Sequence, residues 1–212
     1  MQKLLGTLVL GLFINTASFA DQATLEKKPE STISRTQCES YRDNTSEKYL
    51  RNFQKKENLT EKREQALNAI DISKLPLQNA IKQVKGNGKR VIYVFSDPDC
   101  PYCKRLEQEL TSVNNITIYT FMYPLTSLHP NADLIAKKIW CSDNRYEAWE
   151  DYLLHGKQPD AGTTCENPIE QNLQLGQQLE ISGTPTFFLQ NGQRISGGRD
   201  ADKIEELLNN AL

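Results

Sequence analysis

Two cysteines three positions apart, in Cys100-Pro101-Tyr102-Cys103, stand at a change of pattern. A run of β-branched and aromatic residues, Val91 to Phe95, breaks at Ser96-Asp97-Pro98-Asp99, and apolar side chains then recur at helical spacing at Cys103, Leu106, Leu110 and Val113. The order predicts a strand, a tight turn and a helix that opens on a CxxC. A thiol at the start of a helix faces backbone N–H groups without partners and the positive end of the helix dipole, and both favour thiolate over thiol. Cys100 is therefore the candidate nucleophile. Pro101 suits the first turn, where its missing N–H costs nothing, and after Tyr102 comes Cys103, on the same face. Cys103 can attack a mixed disulfide at Cys100 and resolve it. Neighbouring charge pulls both ways, since Asp97 and Asp99 would raise the Cys100 pKa while Lys104 and Arg105 would lower it.

A CxxC is also half of a zinc site, or a short structural disulfide. Zinc needs two more ligands, and His129, His155, Cys38, Cys141 and Cys165 include no second close pair. The expectation is no metal and no organic cofactor, with sulfur itself carrying the electrons as a redox-active disulfide.

The elements around the dithiol follow from the rest of the chain. Met1-Gln2-Lys3, an apolar stretch from Leu4 to Ile14 and the small residues of Ala17-Ser18-Phe19-Ala20 predict an export signal over residues 1–20. No later stretch reaches the roughly 18 apolar residues of a membrane span, so no membrane insertion is expected. Among 212 residues, 25 Lys and Arg face 27 Asp and Glu, and the net charge of −2 gives no reason to expect nucleic acid as a partner. Five cysteines in an exported chain imply an oxidising compartment, the periplasm of a Gram-negative cell, and the odd count leaves at least one outside an internal pair.

Residues 21–71 read as a polar, mostly helical N-terminal segment. Asp21 to Thr36 looks like a leader, and Tyr49, Leu50, Phe53 and then Ala66, Leu67, Ile70 mark narrow apolar faces, with Asn58 and Glu61 as a capping box between them. Such stripes either lie on the main domain or pair with a second copy, making a homodimer one arrangement and the segment a linker the other. Cys38 is either a bystander or an intermolecular link.

Residues 72–212 read as the main domain. Leu77, Ala80, Ile81 and Val84 predict a short amphipathic helix ending at Gly86-Asn87-Gly88; the strand and CxxC helix come next, and Ile116 to Met122 is a second strand. From about 128 to 180 the period is helical. Leu134, Ile135 and Ile139 mark one helix, Tyr146, Trp149 and Leu153 another, and Asn167-Pro168-Ile169-Glu170 opens a third with Pro168 in the first turn. Thr184-Pro185 leads into Phe187-Phe188-Leu189, and Asn191-Gly192 predicts a type I′ hairpin to Arg194-Ile195-Ser196 before a final helix with Ile204, Leu207 and Leu208. This α/β order, with a CxxC opening a helix and Thr-Pro opening a strand, is that of a thioredoxin fold with a helical insertion. A proline opening a strand is an edge device in many sheets. After Gly183-Thr184 in a CxxC protein we read it as a cis-proline facing the dithiol, which leaves the Thr184 backbone free to pair with an extended peptide.

Taken together, FSDPDCPYCKRLEQEL, IWCSDNRYEAWEDYL, the later Cys165 and LGQQLEISGTPTFFLQNG resemble the catalytic domain of the DsbC/DsbG-type thiol:disulfide interchange proteins, over about residues 72–210. The resemblance implies that Cys100 attacks and Cys103 resolves, that Thr184-Pro185 with Pro101 and Tyr102 contacts substrate, and that Cys141 and Cys165 form a buried structural disulfide. Closing that loop of about 25 residues would contribute roughly 3–4 kcal/mol. It also implies disulfide-containing exported proteins as substrates and a membrane thiol reductant of the DsbD type as partner. Two departures stand out: Pro101-Tyr102 where Gly-Tyr is familiar, and a helical N-terminal segment where the family carries a β-rich dimerisation domain. Two other readings share these residues. One is a DsbA-like dithiol oxidase; the other is a non-enzymatic chaperone or assembly factor, or a copper carrier, using the same groove.

Overall fold

The computed structural model describes residues 46–48, 50–51, 59, 63 and 67–211. Contacts divide the chain into two units, Met1–Arg51 and Asn52–Leu212. In the first, residues 46–48 and 50–51 are helical, with Arg51 donating to Glu47 one turn earlier at 3.1 Å. The export signal, the leader, Cys38, and the Asn58–Glu61 capping box lie outside the described residues.

The second unit is built on one five-stranded sheet, comprising β1 (Ile81–Lys85), β2 (Arg90–Ser96), β3 (Ile116–Met122), β4 (Thr186–Leu189) and β5 (Arg194–Ser196). Their spatial order is β1-β3-β2-β4-β5. β2 and β3 run parallel from Arg90↔Ile116 to Ser96↔Met122, joined by α1 (Pro101–Leu110). β1 is antiparallel to β3, β4 to β2, and β5 to β4. The insertion holds α2 (Ala132–Cys141), α3 (Arg145–His155) and α4 (Ile169–Gln178), and α5 (Ala201–Asn210) closes the chain.

Alternation along the central strands feeds two cores, because successive side chains of a strand point to opposite faces. Ile92 and Val94 join Ile118 and Phe187 against Leu106 and Leu110 of α1 and Ile204 and Leu208 of α5. Tyr93 and Phe95 join Phe121, Tyr123 and Phe188 on the other side, where Phe95 stacks on Phe121 with centroids 4.9 Å apart. A third cluster, around Trp149, Ile139 and Trp140, holds the insertion helices to Met122 and Ile81. Helix ends follow their residues. Asn144 caps α3 by accepting the Glu147 N–H at 3.2 Å, Asp200 caps α5 by accepting that of Lys203 at 2.8 Å, and Lys85 of β1 donates to the Leu110 and Thr111 carbonyls at 2.7 and 2.8 Å.

Four local expectations need correction. Leu77 to Val84 is not a helix: Leu77–Asn79 forms a single 3-10 turn and Ile81–Lys85 is the edge strand β1. Four apolar residues in eight fit either period, and pairing with β3, which buries Ile81 and leaves Val84 outward, decides between them. The hairpin turn is not type I′, which needs positive φ at both central residues. Only Gly192 has it, at φ 83°, and the Leu189–Gly192 turn is closed by the Gly192 N–H donating to the Leu189 carbonyl at 2.9 Å. A side chain at Gly192 would overlap the Ile70 carbonyl, and the Ile70 N–H donates to the Gly192 carbonyl at 3.0 Å. That contact also takes Ile70 out of the helical pattern expected for it. Finally, Pro168 precedes α4 rather than occupying its first turn, and Asn167 accepts the Ile169 N–H at 3.3 Å.

Gly176 of α4 faces the buried Tyr123, and a Cβ there would overlap the ring, with Cζ only 2.7 Å away. Overpacking of a full core costs about 1–3 kcal/mol. Gly176→Ala is expected to lower the urea midpoint with an unchanged m-value, and an unchanged midpoint would show that the ring moves freely.

Candidate active site

Cys100 occupies the N-cap of α1 at φ −77° and ψ 123°, with Pro101 as the first helical residue. The Cys100 N–H donates to the Asp97 carbonyl at 3.2 Å and the Lys104 N–H to the Cys100 carbonyl at 3.1 Å, so the nucleophile's backbone is held on both sides. Cys100 and Cys103 are free thiols, and both are buried, at 5% and 1% exposure. The Cys103 thiol holds the Cys100 pKa down to about 5, helped by the backbone N–H groups of Cys103 and Tyr102 and by Thr184, while burial opposes them. Burial pushes the Cys103 pKa far up, and its hydrogen bond to Cys100 adds to the rise. Its Sγ accepts the Asp97 N–H at 3.4 Å. One sulfur is therefore an anion at neutral pH and the other stays protonated, which separates an attacking from a resolving thiol.

The second sequence signal meets the first in space. Thr184-Pro185 is a cis peptide, 84 residues from Cys100, and the Cys100 Sγ lies 3.5 Å from the Thr184 carbonyl oxygen. Pro185 is buried and its carbonyl accepts the Gly197 N–H at 2.8 Å, while Thr184 is half-buried. Pro101 and Tyr102 lie outward, Tyr102 at 68% exposure. A cleft of 340 Å³ lined by Tyr102, Arg105, Gly198, Arg199, Asp200 and Lys203 opens beside them.

Cys141 and Cys165 are bonded to each other, 24 residues apart in sequence. The bond is not buried: Cys141 is half-buried at the end of α2 and Cys165 is exposed. Residues 156–168, which contain Cys165, form neither helix nor strand, so the bond ties an irregular outer segment to a helix end.

Spacing alone gave no sign of the groups beneath the active-site turn. Asp97 counts in sequence as one more charge near Cys100; folded, it is fully buried, its carboxylate accepting the N–H groups of Asp99 at 2.8 Å and Leu125 at 2.6 Å and meeting His129 Nδ1 at 3.0 Å. Asp99 accepts the hydroxyl of Tyr152, from α3. Burial, and then the bond to Asp99, push the Tyr152 pKa up to about 12. Only the tertiary fold brings residues 125, 129 and 152 here. Among the described residues no group of three His, Cys, Asp or Glu side chains is arranged to hold a metal ion, and no helix is long and apolar enough to cross a membrane.

The Cys100 pKa sets a pH dependence. A depressed folded-state pKa adds stability that is complete above the unfolded thiol pKa of about 8.5 and disappears as pH falls through about 5. The disulfide form has no such thiolate. The Tm of the reduced protein is expected to fall relative to that of the oxidised protein between pH 7 and pH 4, and a constant gap would contradict the thiolate assignment.

Comparison with known proteins agrees with this geometry. The thioredoxin-like domain family matches residues 77–212. A probable thiol:disulfide interchange protein DsbC of Bordetella parapertussis is 41% identical over 150 residues, covering 71% of this chain and 53% of that protein. DsbC of Escherichia coli K12 is 34% identical over 122 residues, covering 57% and 51%. The chain thus spans about half the length of these curated relatives. A disulfide interchange protein from Neisseria gonorrhoeae, known as a crystal structure, superposes with a TM-score of 0.63 at 43% identity, covering 65% of this chain and 98% of that one. The chain belongs to the thioredoxin-like domain family and, within it, to the disulfide interchange proteins.

Proposed function

We propose that this chain is a periplasmic thiol:disulfide oxidoreductase that isomerises or reduces non-native disulfides in exported proteins. The observation that carries the reading is the pairing of a depressed Cys100 thiol with a strongly raised Cys103 thiol against the Thr184-Pro185 loop. The Cys100 thiolate attacks one sulfur of a substrate disulfide, forming a mixed disulfide and releasing the other sulfur as a thiolate. If a substrate thiolate attacks the mixed disulfide, Cys100 is regenerated and the substrate bond has been rearranged. If Cys103 attacks instead, it gives up its proton, the substrate leaves reduced and Cys100–Cys103 is oxidised. A membrane thiol reductant of the DsbD type then returns the two electrons, and no organic cofactor is needed. The substrate backbone lies along Thr184, with Pro101 and Tyr102 beside it, and the Cys141–Cys165 bond is structural.

Residues 72–212 are assigned as the catalytic domain, 21–71 as a dimerisation or linker segment, and 1–20 as the export signal. The beginning of the family match at Leu77 supports the first of these boundaries.

One observation favours a second reading. A thiolate held at a pKa of about 5 stabilises the dithiol form, which makes the disulfide a better oxidant. A DsbA-like oxidase would use the same residues in reverse. Acid-quenched thiol trapping in intact cells separates the two. A mostly reduced Cys100–Cys103 pair supports the isomerase or reductase, and a mostly oxidised pair overturns it in favour of the oxidase.

A further inference from the structure

Asp97 holds the dithiol through its backbone, its carbonyl accepting the Cys100 N–H and its N–H donating to the Cys103 sulfur. Its side chain is a wholly buried carboxylate in the same turn. An anion placed there opposes the formation of a second anion on Cys100, because a neighbouring negative charge in a poorly solvated site disfavours the thiolate. Among the described residues, the carboxylate's polar partners are two backbone N–H groups and one ring, that of His129.

His129 comes from the loop between β3 and α2, and its place there is fixed. Its N–H donates to the Leu125 carbonyl at 2.9 Å, and its own carbonyl accepts the Ala132 N–H at 3.0 Å. Its side chain is 21% exposed, enough to exchange protons with solvent. Among the described residues, the ionisable groups facing the ring are Asp97 and Asp99 of the β2–α1 turn and Cys100 at the start of α1, every one an acid. The hydrogen bond to Asp97 leads in raising the imidazole pKa above that of a free ring, so the ring still holds its proton where Cys100 begins to ionise, at about 5.

We infer that His129 is a positioning residue for Cys100: its imidazolium neutralises the buried Asp97 carboxylate, so that the thiolate forms beside a neutral pair instead of beside an anion. The inference rests on the dithiol exchange proposed above, and it adds a residue for which the CxxC and Thr-Pro signals have no place. Linkage makes the coupling reciprocal: if His129 favours the thiolate, the thiolate must favour imidazolium. Forming the Cys100–Cys103 disulfide removes that anion, so oxidation releases part of the proton held by His129.

The test uses the full chain, poised reduced or oxidised with glutathione. The sequence has two histidines, so proton NMR titration with a His155→Gln control assigns the His129 signal. Its pKa is expected to be higher in the reduced than in the oxidised protein. Equal values in the two states would overturn the inference. In His129→Gln, which keeps a donor for Asp97 but not the charge, the Cys100 pKa read from thiolate absorbance should rise, and alkylation near pH 5 should slow about three- to tenfold. Adding Asp97→Asn removes the uncompensated anion and should restore the rate. A His129 that merely held the loop would instead give a double variant slower than either single one, which also defeats the inference. If the pair fails to exchange with glutathione at all, the proposed function itself falls; if it exchanges and the His129 pKa is unmoved, only the role of His129 falls.

Discussion

Cys100→Ser is expected to abolish disulfide exchange, with a loss of about a thousandfold or more in the rate of refolding of a scrambled-disulfide substrate. The reason lies in the contrast between the two sulfurs. Cys100 has the Cys103 thiol, two backbone N–H groups and Thr184 arranged in favour of its anion, whereas Cys103 is buried and held protonated. A hydroxyl at position 100 has no accessible anion in that setting. Cys103→Ser should behave differently. The first attack still occurs, but the intramolecular escape is lost, so mixed disulfides with substrate should accumulate and be visible on non-reducing gels. Equal loss of the first attack in both variants, with no trapped species from Cys103→Ser, would contradict the assignment of roles.

The second large effect concerns stability. Opening the Cys141–Cys165 bond with the Cys141→Ser/Cys165→Ser pair frees a loop of 24 residues' separation. In the chain-entropy model this costs roughly 3–4 kcal/mol, which for a domain of this size is a fall in Tm of roughly 6–16 °C. Because Cys165 sits in the irregular stretch 156–168, the loss should first appear there, as faster limited proteolysis, before the sheet is affected. A Tm within about 1 °C of the wild type, with unchanged proteolysis, would show that packing around Trp149 and Ile169 already holds the segment.

The chemistry proposed for the site is local, and that is why it was legible. Whether a cysteine sits at a helix start depends on a strand, a breaker and a helical period within about twenty residues, and Val91 to Leu110 contains all three. Thr184-Pro185 was legible for the same reason, a turn opening an apolar strand. The fold class followed from the order of such elements, and the terminal helix with its Ile204 and Leu208 face lies where its period put it.

The tertiary structure decided what short stretches leave balanced. Leu77 to Val84 could satisfy either period, and the open edge of β3 made Ile81–Lys85 a strand. Gln190-Asn191-Gly192 could turn in more than one way, and the close approach of the Ile70 backbone to Gly192 accompanies the one adopted. Glu107 reads as one more charge on α1, yet it is buried, and loss of solvation lifts its pKa to about 7. Asp97 and His129 are 32 residues apart and no spacing rule joins them. A residue's type and near neighbours determine which reactions it can perform. Its burial and distant partners determine the charge it carries, because solvation and Coulomb energy depend on every element folded around it.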